Sequence, residues 1–240
     1  METILIPYEN RHLALHVPKE RLKAVLESRI AGYPPAHTPA DMIKAALARP
    51  IGSPRLCDLA KGKRNILIVT SDHTRPMPSG ITLPILLEEI RRNNPDAAVN
   101  ILVGTGLHRA PTPAEMEKRF GKAILGHYPI YVHDAFDTGQ MEHVCTLPSG
   151  AVFAVNRLAL QADLLITEGF IEPHFFAGFS GGRKSILPGI SSARTVSENH
   201  AARAIAHKRA KSGVLAGNPI HEDMVAAARA VQVDVYKRQL

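Results

Sequence analysis

Imidazoles, guanidinium groups and one lysine recur in four short polar segments of this chain, each interrupting an apolar pattern. Ser71-Asp72-His73-Thr74-Arg75-Pro76 offers an arginine that could hold a carboxylate through two parallel hydrogen bonds. The plainer alternative is a capped loop in which Arg75 pairs with Asp72. Gly104-Thr105-Gly106-Leu107-His108-Arg109 permits a tight turn and close backbone approach to a ligand, with His108 beside it. Arg109 stands where a third glycine would complete a dinucleotide-binding pattern, so that pattern is not met. Taken alone, His108 reads as an ordinary loop histidine.

The third segment is the most unusual: Glu172-Pro173-His174-Phe175-Phe176-Ala177-Gly178-Phe179-Ser180-Gly181-Gly182-Arg183-Lys184-Ser185. Three Phe beside a His and a Lys suggest a dry, shaped pocket with a few polar groups. Core packing would explain the Phe but not Gly181-Gly182-Arg183-Lys184. The run is a near miss for a phosphate-binding loop. Such a loop needs Gly directly before its Lys, where Arg183 stands, and a helix directly after, where Ile186-Leu187-Pro188-Gly189 forbids one. The fourth segment is Glu198-Asn199-His200 on an expected helix, with His207 seven residues on along the same face. Two turns separate these histidines by roughly 10 Å, too far to share a metal. If His200 binds metal, the other donors must come from elsewhere, such as a cofactor; a surface helix histidine is the alternative.

Elements able to position these segments are legible around them. Asn65–Thr70, Val99–Thr105 and Asp163–Thr167 are short apolar runs of the kind buried in a parallel sheet, and Pro129–Val132 reads as another strand. Helices are expected over Pro18–Ser28, Ala40–Ala48 (behind Thr38 and Pro39), Ile81–Arg92, Val152–Gln161, from Ala193 onward, and from Asn218-Pro219 to Ala230. Thr112-Pro113-Ala114-Glu115 is a capping box that starts one more. Residues 1–17 alternate as a hairpin, and Gly32–Pro39 reads as a loop. Strands alternating with helices predict an α/β domain over 1–235 with a mostly parallel, Rossmann-like sheet flanked by helices, and sites at the strands' carboxyl ends. Val231–Val235 begins what reads as a further strand, so 236–240 is expected to be a truncated or non-native tail.

Composition narrows the class. Of 240 residues, 45% are hydrophobic and 21% charged, the balance of a globular protein rather than a disordered one. The net charge of +7 is spread along the chain without aromatic interleaving, so a nucleic-acid partner is not expected. No apolar run is long enough to span a bilayer, and no signal peptide is evident. Cys57 and Cys145 are isolated, which fits a reducing compartment; a cytoplasmic protein is expected.

Together the four segments resemble the lactate racemase family, in order and spacing, through SDHTRP at 71–76, GTGLHR at 104–109, EPHFFAGFSGGRKSILPG at 172–189 and ENH at 198–200. The resemblance implies a racemase or epimerase of a small 2-hydroxy acid, lactate foremost, that uses a nickel-pincer nucleotide made by dedicated cofactor-biosynthesis enzymes. It implies that Lys184 carries that cofactor and that His200 supplies a nickel ligand. His108 and His174 match the family's two acid/base residues, and Arg75 the residue that holds the substrate carboxylate. Asp72, in the same loop as Arg75, is counted with the cofactor contacts.

This chemistry suits the residue types. Histidine exchanges protons near neutral pH, and two bases flanking one carbon can serve both enantiomers. The C2 hydrogen is not acidic enough for either His, so a cofactor must take it as hydride. Arg183 next to Lys184 is expected to favour a neutral, nucleophilic amine during cofactor loading. The family has a second domain that closes on the first, and no counterpart is evident here. Two other readings stay open: a cofactor-binding relative without turnover, and an unrelated phosphate-binding α/β enzyme using Gly181–Lys184.

Overall fold

The computed structural model describes residues 1–27 and 32–232. The chain separates into two compact units, Met1–Thr38 and Pro39–Leu240. In the first, β1 (Glu2–Tyr8) and β2 (Arg11–Val17) form the expected antiparallel hairpin, with Glu2 opposite Val17. The helix expected over Pro18–Ser28 is reduced, within the described residues, to one 3-10 turn at Lys19–Arg21. The reason is burial. Val25 is 51% and Leu26 94% exposed, so no apolar face is covered, and helix propensity alone rarely sustains so short a helix.

The second unit runs in the order α1 (Pro39–Ala48), α2 (Leu56–Ala60), β3 (Asn65–Ser71), α3 (Ser79–Asn93), β4 (Ala98–Gly104), α4 (Pro113–His127) and β5 (Ile130–Val132). It continues with β6 (Met141–Thr146), β7 (Val152–Asn156), α5 (Arg157–Leu160), β8 (Leu164–Thr167), β9 (Pro173–His174) and β10 (Gly178–Phe179). The last elements are α6 (Ala193–Asn199), α7 (Ala202–Ile205) and α8 (Pro219–Ala230).

The central sheet is four-stranded and parallel, in the order β5-β4-β3-β8. Both faces are buried, and alternate residues feed two separate cores. Ile66, Ile68, Ile101, Val103, Leu164 and Ile166 pack with residues of α1 to α4 on one face. Leu67, Val69, Leu102 and Leu165 pack on the other face with Phe153, Val155, Ile186, Leu187 and residues of α8. This double burial is why the strands read as unbroken apolar runs. The strand order turns at β3, where the chain leaves toward β4 and later returns on the other side as β8. Ligand sites in such sheets lie beyond the strand ends at that point.

Two further sequence expectations are corrected, and one falls largely outside the described residues. Val152–Gln161 is not one helix: Val152–Asn156 is a strand paired with β6, which sequence reading missed, and only Arg157–Leu160 is helical. A short run such as VFAVN fits both periods, and its alternating burial here follows the strand period. The helix from Ala193 stops at Asn199, so His200 and His207 do not share a helix face. The strand expected at Val231–Val235 and the tail at 236–240 fall, from residue 233 on, outside the described residues.

Candidate functional site

The loops after β3, β4 and β8, with the segment 173–200, enclose a cleft of about 260 Å³. All six residues singled out from sequence (Asp72, Arg75, His108, His174, Lys184 and His200) line it. They lie up to 128 positions apart in the chain (200 − 72) and meet only through the sheet topology.

One side of the cleft is built on the β3 and β4 loops. Asp72 is 2% exposed, and both of its carboxylate oxygens are used within the chain. Oδ1 accepts from the Thr74 backbone N–H at 3.0 Å and from Thr74 Oγ1 at 2.6 Å. Oδ2 lies 2.7 Å from His108 Nδ1. A carboxylate only accepts, so the proton of a neutral His108 sits on Nδ1, leaving Nε2 with a free lone pair. Arg75 is therefore not paired with Asp72: its guanidinium has no hydrogen-bond or carboxylate partner among the described residues. An unpaired guanidinium in a cleft suits an anionic ligand.

Backbone and caps hold these loops. Arg109 does not approach a ligand as a third glycine would; it grips Glu115 bidentately at 2.8 and 2.7 Å. Glu115 also closes the expected capping box with Thr112 at the start of α4. These hydrogen bonds, that from Arg109 first, hold the Glu115 carboxyl well below the usual carboxylate range. A side chain at Gly104 would bring its Cβ within 3.0 Å of the Gly189 carbonyl oxygen, and that same oxygen accepts the Gly106 N–H at 2.9 Å. Gly104, the last residue of β4, thus lets the third segment close onto the loop.

The other side is aromatic and cationic. β9 and β10 form a tight hairpin carrying His174. Gly178 turns it with φ +83, and a Cβ there would lie 2.5 Å from the Val214 carbonyl oxygen. Arg183 Nη2 donates to the carbonyls of Ala177 at 2.9 Å and Phe179 at 3.0 Å, fixing the hairpin from behind. Asn218, which caps α8, also donates to the Phe176 carbonyl at 2.9 Å. Phe176 is buried, and its ring meets His174 (4.5 Å) and His200 (5.0 Å) edge-on. Phe175 stacks on His174 at 4.8 Å yet is 76% exposed.

Hydrogen bonding sets the His174 tautomer. Its Nδ1 accepts the Ala177 N–H at 3.2 Å, so a neutral ring carries its proton on Nε2, which lies 3.4 Å from Lys184 Nζ. That proton can be accepted only by a free amine. Burial pushes Lys184 down to about 8, helped by Arg183 and Arg75. At pH 7 a larger share of the amine is then free than for an ordinary lysine. Burial likewise lowers His174 to about 4, with Lys184, His200 and Arg75 adding to the effect. His200 falls to about 4 for the same first reason, with Lys184 second. Arg183 itself is lowered to about 10 by burial.

His200 caps the end of α6, and its Nδ1 is buried without a hydrogen-bond partner. A neutral, unpartnered imidazole is a competent donor to a soft or borderline metal. Among the described residues no group of three or more His, Cys, Asp or Glu could hold a metal ion. Any metal at His200 would have to bring most of its donors with it. Lys184 sits in the 3-10 turn Gly182–Ser185 with no helix following, which is not the phosphate cradle of a nucleotide-binding loop.

Sequence reading missed Thr74, Arg119 and Glu168. Arg119 Nη1 and Nη2 donate to the carbonyls of Met77, Asp72 and Arg75, bracing the first loop from α4. Glu168 is a 5%-exposed carboxylate at the end of β8. An acid directly after a buried strand, in Leu164-Leu165-Ile166-Thr167-Glu168, was the signal that could have drawn attention to it.

Comparison with known proteins follows the same segments. The lactate racemase N-terminal domain family matches residues 8–213. The lactate racemase of Thermoanaerobacterium thermosaccharolyticum is 52% identical over 229 residues, 95% of this chain and 54% of that protein. The Lactiplantibacillus plantarum lactate racemase is 45% identical over 233 residues, 97% of this chain and 55% of the relative. The apoprotein structure of the Thermoanaerobacterium enzyme superposes with a TM-score of 0.88 at 50% identity, covering 97% of this chain and 54% of that one. A Thermotoga maritima protein superposes at 0.67 with 24% identity over 80% of this chain and 47% of its own, a likeness of fold alone. The chain thus spans about half the length of the relatives it matches.

Proposed function

Because the chain belongs to the lactate racemase N-terminal domain family, we propose that it carries the acid/base and cofactor-holding side of a 2-hydroxy-acid racemase, with lactate the first substrate to test. The observation that carries this reading is the cleft itself. It joins two imidazoles in different settings, an arginine unpaired among the described residues, a half-buried lysine of lowered basicity and a half-buried histidine whose buried Nδ1 has no hydrogen-bond partner.

Arg75 binds the substrate carboxylate, since nothing among the described residues competes for its guanidinium. His108, with Nδ1 committed to Asp72, takes or returns the hydroxyl proton at Nε2 for one enantiomer. Asp72 serves by orienting that ring and stabilising its cationic form. His174 serves the other enantiomer; its low basicity keeps the ring neutral at neutral pH, and to take a proton at Nε2 that ring must release the Ala177 N–H and carry its own proton on Nδ1 instead.

The residues fit a nickel-pincer nucleotide. Lys184 would hold it through its amine, and His200 would donate to its nickel from a neutral ring. When bound, that group supplies the reversible acceptor for the C2 hydride. Phe176, buried against His174 and His200, helps keep water from the reacting atoms. Cofactor-biosynthesis enzymes are the partners this reading requires. Two free cysteines and the absence, among the described residues, of a helix long and apolar enough to cross a membrane are consistent with a cytoplasmic setting.

The test is to load the full-length protein with cofactor and follow D-lactate formation from L-lactate. Racemisation is expected. Failure with lactate and a panel of other 2-hydroxy acids, despite full loading, would contradict the proposal.

A further inference from the structure

We infer that Glu168 is a positioning residue for this site: its buried carboxylate gathers the hydroxyls of Thr70, Ser79 and Thr82 and so fixes both feet of the loop that carries Asp72 and Arg75. The inference rests on the reading of that loop given above.

Glu168 follows β8, and its N–H donates to the Val69 carbonyl at 2.8 Å, which sets it beside the end of β3. Its Oε2 accepts from Thr70 Oγ1 at 2.5 Å and from Ser79 Oγ at 3.0 Å. Its Oε1 accepts from Thr82 Oγ1. Thr70 lies in β3 just before the loop, and Ser79 and Thr82 stand in the first turn of α3 just after it. Residues 72–78 therefore leave the strand and enter the helix through side chains held by one carboxylate. Arg119 completes the frame by collecting the loop carbonyls of Asp72, Arg75 and Met77.

A buried carboxylate with no ion pair is an expensive way to fill space. Burial pushes Glu168 up to about 7, against the lowering pull of the Thr70 and Ser79 hydroxyls and of Arg119, and an apolar side chain would avoid that cost. An apolar side chain would also release three buried hydroxyls and unpin the loop. What the carboxylate secures is geometry: Asp72 stays at 2.7 Å from His108, and Arg75 stays turned into the cleft rather than onto Asp72. Sub-ångström looseness in such a frame is enough to weaken a positioned site.

The experiment compares Glu168→Gln and Glu168→Leu in the full-length protein by amide hydrogen exchange, read by mass spectrometry on the cofactor-free form. Kinetics of the loaded enzyme are measured alongside. Glu168→Leu is expected to accelerate exchange in 72–78 by about tenfold or more while the strands of the sheet keep their protection. It should also raise the KM for the hydroxy acid by about tenfold at unchanged cofactor occupancy, because Arg75 is the carboxylate's holder. Glu168→Gln, which keeps the hydrogen-bonding shape, should restore both to within about threefold of wild type. Uniform acceleration across the domain, unaltered loop exchange, or equal damage from Gln and Leu would overturn the inference. Should Glu168→Leu fail to fold, Ser79→Ala and Thr82→Val must each loosen 72–78 selectively, and their failure to do so would count equally against it. If wild type racemises nothing, the functional reading falls, while the exchange data still judge the anchoring on their own.

Discussion

His108 and His174 line the same cleft from contrasting surroundings. His108 rises from a loop of turns and caps, is 47% exposed, and leans on a buried carboxylate. His174 sits in an aromatic hairpin among Lys184, Arg183 and His200, without a carboxylate against it, and is held neutral. One side offers an imidazole backed by a negative partner; the other offers an imidazole whose cationic form is penalised. Environment rather than residue type sets them apart, a pattern that recurs wherever paired titratable groups share a site. The same contrast separates Arg75, whose guanidinium has no partner among the described residues, from Arg183, committed to backbone carbonyls.

Removing the cationic side should have the largest effect. Lys184→Ala is expected to abolish covalent cofactor retention, visible as loss of the mass adduct, and with it turnover. Deleting either base comes next. His108→Ala and His174→Ala should each lower racemisation by roughly 10²–10⁴-fold. The two variants should also differ in which enantiomer is still oxidised in a single turnover, and identical enantiomer profiles would break the proposed division of labour.

Acylation of the cofactor-free protein probes the cationic side through its amine. Lys184 has its value lowered to about 8, so its labelling should rise with pH and level off above that point. Ordinary lysines continue to gain reactivity toward about 10.5. At pH 7 Lys184 should be labelled about 10²-fold faster than the exposed lysines, given equal access of the reagent. Asp72→Asn tests the other side. It keeps the shape but can present the wrong group to His108 Nδ1, and a loss of roughly 10–100-fold is expected, with cofactor retention intact.

The smallest expected effect is on stability. His174 and His200 are both lowered from the usual 6.5 to about 4 in the folded protein. The unfolded chain therefore binds more protons between those values, and stability falls as pH drops from 6.5 toward 4. Thermal unfolding should show Tm decreasing across that window, partly offset by Glu168, whose raised value makes the folded form bind an extra proton there, with a shallower slope in His174→Phe.

Much of the fold and the site is legible in the amino-acid sequence. Asn65–Thr70 and Leu164–Thr167 announce a parallel sheet because strands buried on both faces lose polar alternation. Thr112 and Glu115 mark a helix start that forms as expected, since a capping box is a local device. The six site residues stand out as polar interruptions at strand ends, and the topology brings all of them to one cleft. What is missing from the sequence is context. Val152–Asn156 fits either period until β6 is known to lie beside it, and Pro18–Ser28 has helical composition without a surface to pack on. The partners of Asp72 and Glu168 are equally hidden. Asp72 meets His108 across 36 positions and Glu168 meets Thr70 across 98, separations that leave no local spacing to read.

The most direct test is intact-mass spectrometry with nickel analysis on the full-length protein produced beside its cofactor-making enzymes. The expected result is one adduct localised to Lys184, with nickel rising in step with it and lost in His200→Ala. An adduct on another residue, or nickel retained without Lys184 and His200, would contradict the reading of the cleft.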